Sequence, residues 1–183
     1  RSIGKMIKDI IRTIVMDEES MKKILTEKKS VFLLIFLFTN VIFTVFFNCF
    51  LFFTEQDFSF YEYFLLSFIE IKNNCVFCLL WILILFLIFC NKLEKKQCVD
   101  LVLKTIISMK FIYPLYTVIF HYFENGIILL TILLYDMIFV IKFLKVNISK
   151  EVTSLSKLRL NIILSFFVLL IIYGGIYKLL LLQ

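Results

Sequence analysis

The chain has 183 residues, 62% of them hydrophobic, with 23 phenylalanines, one proline, four glycines and no alanine. Its mean hydropathy is +0.99, whereas a soluble domain is nearer about 45–50% apolar. The formal charge of +6 is gathered in short stretches between long apolar runs, which excludes a soluble enzyme, a secreted disulfide scaffold and a disordered tail. The pattern predicts an all-α fold, a polytopic helical membrane protein.

Scarce Ala, Gly and Pro beside abundant Phe, Ile, Lys and Asn match an AT-rich genome, so a single Phe or Cys carries little meaning. Close helix packing in lipid uses small residues; with few of them, these helices are expected to interlock through Phe, Leu and Ile or to lean on a partner. Five cysteines, an odd number, form no disulfide framework. No basic stripe interleaves with aromatics on a soluble face, which excludes nucleic acid as a partner. The chain opens on Arg1, and a start further upstream is expected.

Residues 1–29 read as amphipathic interfacial helices. Ile3, Met6, Ile7, Ile10, Ile11 and Ile14 recur at helical spacing opposite Lys5, Lys8, Asp9 and Arg12, which suits a helix on the membrane surface or against the bundle. Asp17 is expected to cap a second short helix whose apolar face is Met21, Ile24 and Leu25. Residues 30–183 form one domain of five spans: 31–53, 75–90, 101–122, 127–145 and 160–182. The aromatic stretch 61–71, with Glu62 and Glu70, is either interfacial or an extension of the second span.

Lysine and arginine set the orientation. Eight lie in the first 30 residues, one (Lys72) in 54–74, three in 91–100, none in 123–126 and five in 142–159. The alternation predicts a cytoplasmic N-terminus and a C-terminus on the outer or lumenal side, in the plasma membrane of a bacterium or an endomembrane of a eukaryote. The sequon Asn147-Ile148-Ser149 falls on a cytoplasmic loop in this topology.

Two charges stand at mid-span. Lys110 precedes the 123–124 turn by about 13 residues and Asp136 follows it by about 12, which puts both roughly 18–20 Å from it. A lone charge at that depth costs several kcal/mol, so the two are expected to pair. Pro114 lacks the N–H that would bond the Lys110 carbonyl, which predicts a kink beside the lysine. Tyr113, Thr117 and His121 share the Lys110 face in a continuous helix. The group reads either as a structural ion pair or as a polar relay.

Asn40, Thr44 and Asn48 form an i, i+4, i+8 stripe on the first span, and Asn161 and Ser165 a shorter one on the fifth. Both are expected to make polar contacts between helices. Gly174-Gly175 would allow a close approach or a bend. Ser154 and Ser156 read as a cap and solvated face of the fifth helix, and no hydrolase, kinase or phosphate-loop motif occurs. Cys75-Val76-Phe77-Cys78, with Cys49 near the same level, is a possible thiol pair. It resembles the motif of membrane disulfide-generating oxidoreductases, which oxidise thiol partners and pass electrons to quinone. Its other reading is two small apolar fillers. Three clustered cysteines with the single His121 elsewhere make no zinc site, and no metal or cofactor is expected.

Three features extend over nearly the whole chain: the amphipathic lead-in 10–25 ending in Lys28-Lys29, the five-span layout with Pro114 inside span three, and the link Leu155-Ser156-Lys157-Leu158-Arg159 opening span five. In these the chain resembles the Yip family, the Ypt-interacting membrane proteins and their bacterial relatives. Members of that family look like adaptors or membrane organisers, and some bacterial relatives are associated with exporters of the ATP-binding cassette type. The resemblance implies a non-enzymatic adaptor, scaffold or accessory subunit. Its partners would be the lipid bilayer and another membrane protein or a second copy of the chain. The alternatives are a small transporter or channel subunit built on Lys110 and Asp136, and a thiol oxidoreductase using Cys75 and Cys78.

Overall fold

The computed structural model of the protein describes residues 3–55, 59–91, 93–123, 126–148 and 154–181. Among these residues every regular element is helical. Helix α1 (Ile3–Ile14) and α2 (Glu18–Leu25) form a hairpin. The turn is a Schellman motif in which Asp17 N–H donates to the Arg12 carbonyl and Met16 N–H to that of Thr13. Met16 takes the left-handed conformation, φ 63°, a position glycine usually fills because it has no Cβ to clash. Asp17 caps α2 as its sequence position predicts, accepting from Ser20 N–H at 2.9 Å.

Helices α3 (Lys29–Leu37) and α4 (Phe43–Glu55) are joined by a π-helical turn, Phe38–Ile42. Helix α5 runs unbroken from Phe60 to Phe89. It begins at a capping box, where Ser59 and Glu62 satisfy each other's N–H groups. The aromatic stretch therefore belongs to the same helix as the segment from Cys75. Helix α6 (Lys95–Lys110) stops at Phe111–Ile112, and α7 (Tyr113–Phe123) restarts with Pro114 in its first turn. There a missing N–H costs nothing, because first-turn donors have no partner within the helix. The expected kink is a full break. Helices α8 (Gly126–Asn147) and α9 (Leu155–Leu181) complete the described chain.

Helix α5 packs against α4, α6 and α9, while α8 packs against α2, α6 and α9. The core where they meet holds Trp81, Leu85, Ile106, Phe139, Phe143 and Ile162, all 0% exposed. Trp81 lies 5.3 Å from the Phe166 ring, centroid to centroid, so an aromatic interlock does the work that small residues do elsewhere. The hairpin enters this core through Met21 and Ile24. It packs against α6 and α8, one of the two placements expected. The helical face of α1 is only partly as expected: Ile10 is buried with Asp9 and Thr13, while Ile7 and Ile11 are exposed. The glycine pair makes no close approach to the described residues. Helix α9 continues through Gly174 and Gly175, and a Cβ at either would meet open space.

Among the described residues one helix, Phe60–Phe89, is long and apolar enough to cross a membrane, and a shorter apolar helix covers Asn40–Thr54.

Candidate functional site

Lys110 ends α6 and Asp136 sits midway along α8, where the packing of α6 on α8 brings them together. Lys110 Nζ lies 3.4 Å from Asp136 Oδ2, and the residues are 6% and 1% exposed. Ions this deeply buried lose several kcal/mol of hydration each, and only good geometry with further partners offsets the loss. Both have such partners. Tyr116 donates its hydroxyl to Asp136 Oδ1 at 3.2 Å. The Lys110 ammonium stands over the Phe77 ring at 4.6 Å and near the Tyr113 ring at 5.7 Å, where ring quadrupoles attract a cation.

The remaining members of the expected polar face are arranged otherwise. Thr117 donates to the Tyr113 carbonyl at 3.3 Å, within its own helix. His121 lies in α7, but its side chain is outside the described residues. The face of Tyr113, Thr117 and His121 assumed a continuous helix. The break at Phe111–Ile112 resets the register, so Tyr116 reaches the aspartate. Pro114 was the signal that the spacing count should not run through it.

A polar seam joins the first long helical run to α5. Asn74 donates to Asn40 Oδ1 at 3.2 Å, and Asn48 donates to Ser67 Oγ at 3.0 Å and Glu70 Oε2 at 3.2 Å. Asn40 also donates to the Phe36 carbonyl at 2.9 Å, and Thr44 returns its hydroxyl to the Asn40 carbonyl at 2.6 Å. Two of the three stripe residues thus hydrogen-bond to another helix, while the buried Thr44 bonds within its own helical run. Their partners Ser67, Glu70 and Asn74 were missed, although spacings of three and four put them on one face of α5.

Cys78 is buried halfway along α5 with its thiol toward Asn74 Oδ1 at 3.8 Å, and Cys75 is half-buried. All five cysteines are free thiols. Since α5 begins at Phe60, the motif does not stand at a helix start. Ser165 donates to the Ile162 carbonyl at 2.7 Å. With Asn161 it lines an open, mainly apolar groove of about 400 Å³ between α5 and α9. No cluster of three or more His, Cys, Asp or Glu suited to a metal occurs among the described residues.

A second buried lysine was missed. Lys104, 2% exposed, contacts Asp100 at 3.1 Å and donates to the carbonyls of Leu25 and Glu27 at 2.5 Å. It thereby holds the C-terminal end of α2, where carbonyls lack helical partners and the dipole favours a cation. Tyr135, beside Asp136, donates to the carbonyl of Ile14 at the end of α1. Each helix of the hairpin is thus tied at its C-terminus by a side chain from the bundle.

Comparisons with protein-family models, with curated proteins and with solved structures find no match.

Proposed function

We propose that the protein is an integral membrane bundle of five spans that carries out no catalysis and serves as an adaptor, scaffold or accessory subunit of a membrane complex. One observation carries this reading: large apolar side chains cover the outside of the helices as well as the core. Leu34, Phe46, Phe64, Leu83, Leu134 and Ile171 point outward, while Asn40, Asn74, Lys110 and Asp136 lie inside. Apolar surface of that extent is covered by lipid or by another protein, and ionisable groups inside a lipid-facing bundle pair with one another. The spans in this reading are α3 with α4, α5, α6 with α7, α8, and α9. The alternation of loop lysines supports a cytoplasmic N-terminus.

The pairing of every buried lysine described above supports a structural use of charge. Lys110 is matched by Asp136 and two rings, and Lys104 by Asp100 and two carbonyls. The Yip-like layout favours the same role. Purification from native membranes in mild detergent, with crosslinking and mass spectrometry, tests it. A stoichiometric membrane-protein partner is expected; elution of the chain alone contradicts the adaptor role.

A second reading, a small transporter or channel subunit, is favoured by the helix break next to Lys110 and the π turn carrying Asn40. Interrupted helices recur at intramembrane binding sites. Loss of a liposome flux in Asp136→Asn, with folding intact, would move that reading ahead.

A further inference from the structure

Helix α1 divides its surface into three stripes, where a simple amphipathic helix has two. Asp9, Ile10 and Thr13 are 7%, 3% and 0% exposed, on the side that packs into the protein. Next around the helix come Ile7 and Ile11, continued by Val15 in the turn that follows; they are 45%, 58% and 74% exposed. Lys5, Lys8 and Arg12 follow, all exposed. With 3.6 residues per turn the apolar and basic stripes share an edge. The exposed aliphatic side chains make no use of the bundle, since the inward face is supplied by other residues.

The geometry points to α1 as a docking surface for an anionic lipid leaflet. Ile7, Ile11 and Val15 enter the acyl boundary, and Lys5, Lys8 and Arg12 bond the headgroup phosphates. This rests on the proposed membrane location. Charge complementarity selects the occupant: three exposed cations line the stripe, and the one carboxylate of α1, Asp9, is buried beside it, on the side toward the bundle. An apolar strip edged by cations matches acyl chains edged by phosphates.

The test uses the full chain in nanodiscs of phosphatidylcholine alone and of phosphatidylcholine mixed with phosphatidylglycerol, with amide hydrogen exchange followed across α1. Exchange in α1 is expected to be roughly ten-fold slower in the anionic discs. High salt removes the difference, because these charges are exposed. So does the triple variant Lys5→Gln, Lys8→Gln, Arg12→Gln, while exchange in α5 and α8 stays unchanged. Equal exchange in both discs, with the chain inserted, overturns the docking surface and assigns the stripe to a protein partner. Failure of the chain to enter either disc overturns the membrane reading, and this inference with it.

Discussion

Lys104 and Lys110 lie on the same helix, both buried, and their ammonium groups are matched in opposite ways. Lys104 reaches back to the carbonyls of Leu25 and Glu27, while Lys110 reaches across to the Asp136 carboxylate. One lysine ties the N-terminal hairpin to the bundle, and the other ties α6 to α8.

Lys104→Met should therefore release the hairpin without dissolving the bundle. Hydrogen bonds to a charged group contribute about 1.5–3 kcal/mol, and the carbonyls it served would lose their donor. Limited trypsin digestion of the purified protein should cut at Lys22, Lys23 and Lys28 sooner than in the parent, with α5 still protected. Unchanged cleavage would mean that Met21 and Ile24 alone hold α2.

The two lysines also mark what a sequence can disclose. Lys110 and Asp136 were legible as partners because two oppositely charged residues stood equally far from one turn. Lys104 was not, because its partners are backbone carbonyls, which leave no residue pattern; only Asp100, four residues earlier, hinted at a paired charge. The same reasoning covers α1. Periodicity reveals an apolar arc but not which edge of it meets the bundle, and here the meeting edge includes Asp9 and Thr13. The continuity of α5 was legible in principle, since Ser59 and Glu62 have capping-box spacing.

The seam between α5 and the run of the π turn with α4 predicts a modest, local cost for its amides. Asn74→Leu removes the donor to Asn40 Oδ1 and the acceptor of Cys78. Polar contacts between helices in lipid average near 0.6 kcal/mol and reach about 1.7 kcal/mol. Thermal unfolding in detergent should show a small loss of that order. A collapse of the fold would mean that the seam carries far more than packing.

Trp81 separates volume from polarity. It is 0% exposed, and its indole N–H has no partner among the described residues. Trp81→Ala should cost about 3–5 kcal/mol through the cavity it leaves. Trp81→Phe should cost clearly less, because it keeps a ring against Phe166 and removes an unsatisfied donor. Equal losses for the two variants would refute this division.

Acid should loosen the hairpin. Hydrogen bonding from Ser20 holds the Asp17 carboxyl below its ordinary value. A carboxyl whose pKa is lowered by folding stabilises the fold above its unfolded pKa, about 3.9, and ceases to as pH falls through the folded value. Helicity of the α1–α2 region, read by hydrogen exchange, should weaken below about pH 4. Asp17→Asn, which can still cap, should abolish that dependence.

The central claim is that Lys110 and Asp136 are a structural pair, each ion matching the other inside the bundle, and a double-mutant cycle on the two tests it most directly. Removing one ion leaves the other buried and unmatched, at about 3–5 kcal/mol, whereas replacing both by apolar residues is often near neutral. Denaturation in detergent should show Lys110→Met and Asp136→Leu each strongly destabilised, and the double variant less so than either. Single variants as stable as the parent, or a double variant that loses the sum of both, would contradict a structural pair.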